Sequence, residues 1–84
     1  MITIEDVIEN YEDVVKMDGF YDCIMGVCYR FGQPIILSYD LDKIIKKLMK
    51  QGMSYEEAIE YWEYNQLGAS VGEYTPCFIE RITK

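Results

Sequence analysis

FYDCIMGVCYRF, residues 20–31, is the stretch on which the fold turns. Read at helical spacing, Phe20, Ile24, Val27, Cys28 and Phe31 fall on one face, and Gly32 follows as a stop. Read at strand spacing, the β-branched and aromatic content of CIMGVCYRF also suits a sheet, and Gly26 weakens either choice. The periodicity favours a helix, so a helix is expected over residues 20–31.

Downstream, Gln33-Pro34 breaks the pattern, and PIILSY (residues 34–39) reads as a short buried strand. Asp40 then caps a further helix, with Tyr39 and Ile44 as its hydrophobic staple. Leu41, Ile44, Ile45, Leu48 and Met49 face inward, while Lys43, Lys46, Lys47 and Lys50 face water near the negative end of the dipole. Gly52 ends that helix and opens GMSYEEAIEYWEYNQLGASVGEYTP, residues 52–76. Here Ser54 and Glu57 form a capping box. Tyr55, Ala58, Ile59 and Trp62 recur at i, i+3, i+4 and i+7 as a buried face that Tyr61 and Tyr64 widen. Glu56, Glu60 and Glu63 stay on the wet side. Gly68 is the expected helix-ending residue, Gly72 a second turn point, and Pro76 biases Thr75 to extended backbone. The short link at Gly52 implies an antiparallel helix pair. CFIERI, residues 77–82, reads as the last strand, and counting chain reversals makes it antiparallel to the first.

Upstream of residue 20, Thr3 starts a helix with Ile2 and Val7 as its staple. Ile4, Val7, Ile8, Tyr11, Val14 and Val15 form one apolar stripe, and Asp18-Gly19 closes the helix by turn chemistry. The expected fold is therefore a single α+β domain of four helices and a two-stranded antiparallel sheet, in the order α-α-β-α-α-β.

The chain has 84 residues, of which 50% are apolar and 14% aromatic, enough for one small packed core. Its formal charge is −7 and unevenly spread. Residues 1–22 place seven acids against Lys16 alone, and four lysines gather between Lys43 and Lys50. Such a surface repels phosphate backbones and anionic membranes and favours a basic protein partner. The N-terminal residues lack the basic and apolar regions of a signal peptide, and no apolar run reaches the ~20 residues of a membrane span. A cytoplasmic protein with reduced thiols is expected.

The absence of histidine removes the commonest general base and metal ligand. Cys23, Cys28 and Cys77 have no paired spacing and read as small buried hydrophobes. GASVG lacks the Lys-Ser/Thr of a phosphate-binding loop. No catalytic residue, metal site or cofactor is expected, and the chain does not read as an enzyme. Two surfaces remain. Glu5, Asp6, Glu9, Glu12 and Asp13 form an acidic stripe that either solvates a helix or engages a basic groove. Tyr61, Tyr64, Asn65, Gly72 and Glu73 form a candidate interface or pocket, with the aromatics around Trp62 favoured as core and Asn65 favoured as a structural anchor.

QGMSYEEAIEYWEYNQLGASVGEYTPCFIERI, together with FYDCIMGVCYRFGQPIILSYD upstream, resembles a group of short uncharacterised proteins encoded by bacteriophages and prophages. The pattern DGMxYEEAxEYxEYNxLGAxVGExTPxFI covers roughly residues 20–80 with the upstream segment, and Gln51 stands where an acid is common. The resemblance implies a small phage-type protein that works by protein–protein binding, as an inhibitor of a host nucleic-acid-binding or defence complex (anti-CRISPR-like), and it assigns no catalytic residue. Two alternatives stand beside it: a self-associating accessory module, and a small-molecule binder with a pocket near Asn65 and Gly72.

Overall fold

The computed structural model describes residues 1–11, 14–67 and 72–83. Among them are three α-helices and one three-stranded mixed sheet: α1 (Ile4–Asn10), β1 (Ile24–Cys28), β2 (Ile36–Asp40), α2 (Leu41–Lys50), α3 (Tyr55–Trp62) and β3 (Cys77–Ile79). The fold is α+β, but the expected four helices and two-stranded antiparallel sheet are both overturned.

Residues 20–31 account for the first correction. They form a 3-10 turn at Tyr21–Cys23 and then β1, which pairs antiparallel with β2 through Gly26–Ser38, Val27–Leu37 and Cys28–Ile36. A bulge between Ile24 and Gly26 offsets the start of that register. Helical spacing loses because β2 is buried at every position, from Ile36 through Asp40. A strand covered on both faces is a central strand, and its backbone groups need a neighbour on each edge. β1 supplies one of them, whereas a helix could not.

The second neighbour is β3, which pairs with β2 in parallel, through Ser38–Cys77, Tyr39–Phe78 and Asp40–Ile79, rather than antiparallel. Counting reversals fails because it assumes that the chain turns straight back after α3, whereas it first makes a 3-10 turn at Gly72–Tyr74 and enters the sheet at Cys77 beside Ser38. The last strand is also shorter than expected, ending at Ile79 rather than residue 82.

α1 stops at Asn10 instead of continuing to residue 18. Its last turn holds no basic residue, and further acids would stack against the negative end of the dipole. The Asn10 amide instead donates to the Asp6 carbonyl at 2.7 Å. Val14 and Met17 nevertheless join the core outside any helix, and the Met17 backbone N–H donates to the Tyr39 hydroxyl at 2.9 Å.

α2 and α3 follow their sequence signals more closely. The Asp40 carboxylate accepts from Lys43 N at 3.3 Å to cap α2, and Gly52 takes φ 105° to turn the chain. Ser54 Oγ accepts from Glu57 N at 3.1 Å, while Ser54 N donates to the Glu57 carboxylate at 2.9 Å. α3 gives way to a π-helical turn, Glu63–Leu67. Gly68, expected to end that helix, lies outside the described residues. The core gathers Leu37 and Tyr39 of β2, Leu41, Ile44, Ile45 and Leu48 of α2, Ala58 of α3, and Val7, Val14 and Cys23. Trp62 meets Phe78 edge-on at 5.5 Å. The tyrosines of the expected buried face are not core: Tyr55 and Tyr61 are exposed, and Tyr64 is 88% exposed. Among the described residues no helix is long and apolar enough to cross a membrane.

Candidate functional site

The acidic stripe survives only in part. Glu5, Asp6 and Glu9 lie exposed on α1, while Glu12 and Asp13 fall outside the described residues. Asp6 is also a cap. Its carboxylate accepts from Thr3 N at 3.0 Å, and its own N–H donates to Thr3 Oγ1 at 3.2 Å. The backbone bond from Thr3, aided by the Thr3 side chain, holds the Asp6 carboxyl below the usual range. Lost hydration first, then the nearby Glu5 charge, push the Tyr21 phenol up. Glu9 is the acid of this helix turned to solvent without either duty.

Elsewhere the carboxylates remain largely uncompensated. Among the described residues, the ion pairs are Lys47–Asp22 at 2.7 Å and Arg81–Asp40 at 3.1 Å. Glu56, Glu57, Glu60 and Glu63 line the exposed surface of α3 and its extension, and among the described residues none of them forms an ion pair. Of the α2 lysines, Lys47 turns to Asp22 and lies 5.7 Å from the Phe20 ring centre, while Lys46 borders the same cleft as Glu63 without pairing with it.

The second candidate group is brought together in part. Tyr61 and Asn65 border a cleft of about 280 Å³ with Met17, Phe20, Gln66 and Phe78. Asn65 donates from Nδ2 to the Tyr61 carbonyl at 3.1 Å, one turn back in its own helix. Tyr64 lies outside that cleft but shares a shallow surface with Tyr61 and Asn65, beside Met53, Glu57 and Glu60. Gly72, at φ 84°, and Glu73 do not line it either. Instead the Glu73 carbonyl accepts from Arg30 Nη2 at 2.6 Å, and the same nitrogen donates to the Pro34 carbonyl at 2.7 Å. Arg30 thereby ties the β1–β2 loop to the last connector.

Sequence reasoning missed a third surface. Met1, Ile2, Ile4 and Val7 face Ile24, Met25, Val27 and Tyr29 across an open cleft of about 400 Å³. No charged side chain lines it. It adjoins the outer edge of β1, which has no strand partner among the described residues. Met25 is 44% exposed, Tyr29 73% and Phe31 104%. The available signal was a chargeless run, CIMGVCY from Cys23 to Tyr29, in a chain that is 27% charged.

The thiols are dispersed. Cys23 is buried, and that burial raises its pKa ahead of the nearby Asp22 charge. Cys77 Sγ donates to Ser38 Oγ at 3.3 Å. Among the described residues no group of His, Cys, Asp and Glu is arranged to hold a metal ion. Comparison with protein-family models, curated proteins and solved structures finds no match to this chain.

Proposed function

We propose that the protein acts by binding a second protein that carries a basic surface, where it competes with nucleic acid. The observation behind this reading is the surplus of exposed carboxylates on α1 and α3: the two ion pairs among the described residues fall at Asp22 and Asp40, outside both helices. Such a surface has its unsatisfied Coulomb energy with an external cation array, and it accelerates encounter with one. The resemblance to short phage-encoded proteins adds the context of a host nucleic-acid-binding or defence complex, inhibited by occupation of its groove.

The test is a pull-down from host cells with wild-type protein and with Glu5, Glu9 and Glu60 reversed to lysine. Reversal is expected to weaken capture roughly tenfold or more, and raising NaCl from about 0.05 to about 0.5 M is expected to release the partner. Retention at the higher salt, or unchanged capture by the reversed variant, overturns the reading.

One observation favours a small-molecule reading as second. Gln66, whose side-chain oxygen is buried without a hydrogen-bond partner, lines the cleft beside Tyr61 and Asn65. A compact ligand offering a donor would satisfy it. Thermal-shift screening of amide- and amine-bearing metabolites checks this, and a flat response removes it.

A further inference from the structure

We propose that β1 is a homodimerisation edge: two copies pair their β1 strands antiparallel about a two-fold axis, joining two three-stranded sheets into one of six. The first observation is the bare edge. β2 sits between β1 and β3, so β1 is terminal and carries a row of backbone groups with no strand partner among the described residues. Natural edges are guarded by lysine, proline, inward charge or a bulge. Here the bulge between Ile24 and Gly26 is the guard present, and it leaves the run from Gly26 to Tyr29 free of charge and proline. The charges at either end are already engaged. Asp22 holds Lys47 at 2.7 Å, and Arg30 donates to two backbone carbonyls. Neither is free to hold a second strand away.

The second observation is area. Met1, Ile2, Met25, Tyr29 and Phe31 are 124, 48, 44, 73 and 104% exposed. Four of these five line the chargeless cleft beside β1, and Phe31 follows Tyr29 by two residues. Aromatic side chains such as Tyr29 and Phe31 can bury roughly 150–250 Å² each, so with Met1, Ile2 and Met25 at these exposures the five offer at most on the order of 800 Å² per copy. That matches the ~800 Å² per partner of a specific interface and exceeds the few hundred Å² of apolar patch usual on a monomer. An antiparallel pairing of one strand with itself is two-fold by construction, so one patch serves both copies. Tyr29 and Phe31 are its anchors.

A second copy is distinguished from a basic partner by salt. Each copy carries a formal charge of −7, so the two repel at long range, while no charged side chain among the described residues lines the cleft beside β1. Screening therefore strengthens self-association, whereas it releases a basic protein.

Sedimentation equilibrium at about 0.05 and about 0.5 M NaCl tests the proposal, on wild type and on Met25→Lys/Tyr29→Lys, two exposed substitutions that place charge on the edge. The expected result is a wild-type dimer that tightens severalfold with salt and a variant whose association is at least tenfold weaker. Hydrogen exchange on the wild type needs no substitution: those amides of β1 that point away from β2 should gain protection as protein concentration rises. A wild type that stays monomeric at about 200 μM in the higher salt, a variant that dimerises as tightly as wild type, or a concentration-independent exchange rate at every outward-pointing amide of β1 overturns it. None of these outcomes bears on capture of a basic partner, which is read separately by its release with salt.

Discussion

Asp40 ends β2, begins α2 and anchors Arg81, all from a side chain that is 4% exposed. Its cap was readable from Asp40-Leu41 before an apolar helical stripe, but its bond to Arg81 was not, because that contact depends on where β3 lands. Asp40→Ala is expected to cost about 1–2 kcal/mol, from loss of the cap bond to Lys43 N and of the Arg81 pair. Asp40→Asn, which keeps a capping oxygen, should cost less, and urea denaturation of both variants measures the difference. The capping carboxylates make a second prediction. Backbone bonds from Thr3 and Ser54 lower the pKa values of Asp6 and Glu57, and the bond from Lys47 lowers that of Asp22. Each group binds its proton less readily folded than unfolded. Its contribution is therefore complete above the unfolded value and is lost as pH falls through the lowered folded value, below about 4. Thermal melts from pH 7 to pH 3 should show this loss, and an Asp6→Asn/Glu57→Gln variant, which removes the two titrating carboxylates and melts lower at neutral pH, should lose less on acidification.

At the scale of elements, α2 and α3 were legible because cap, stripe and stop agree within a dozen residues, as at Ser54 with Glu57 and at Gly52. β1 was not, because residues 20–31 satisfy two periods and the deciding contact is with β2. The cue was in the neighbour: Ile35, Ile36 and Leu37 follow one another where a strand exposed on one face would alternate. α1 was overextended because its apolar spacing runs past Asn10, although the chain there continues to the core without helix. Gly26 gives a direct test of β1. A Cβ there meets nothing within 4 Å, and the residue is not among those with positive φ. Gly26→Val is expected to raise stability by about 1 kcal/mol and Gly26→Ala by about half of that, the order a strand imposes and a helix would reverse. Chemical denaturation of the two variants distinguishes them.

For the whole molecule, charge was fully legible from composition, but its consequence depends on placement. The acids remain on exposed helix surfaces, and the described ion pairs cancel few of them. Mutual repulsion should make the fold less stable in dilute buffer, so the melting temperature is expected to climb by several degrees between about 0.02 and about 0.5 M NaCl. The acidic stripe was half legible: its residue types are as expected, while the helix carrying them ends at Asn10. The apolar cleft by β1 was invisible to motif reading, since it joins residues 1–7 to residues 24–29 and has no local signature.

The parallel pairing of β3 with β2 also orders events in time. Val27 and Leu37 meet by closing a short hairpin, whereas Phe78 reaches Tyr39 only after the helical pair and the long return connection are in place. Closure of the larger loop carries the greater entropy cost, so the hairpin and α2 form the folding nucleus and β3 docks after the barrier. Phe78→Leu should therefore accelerate unfolding and leave the refolding rate nearly unchanged in stopped-flow chevrons, while Val27→Ala slows refolding. The molecule would then loosen from its C-terminal strand first, baring the far side of β2 before the rest of the sheet gives way.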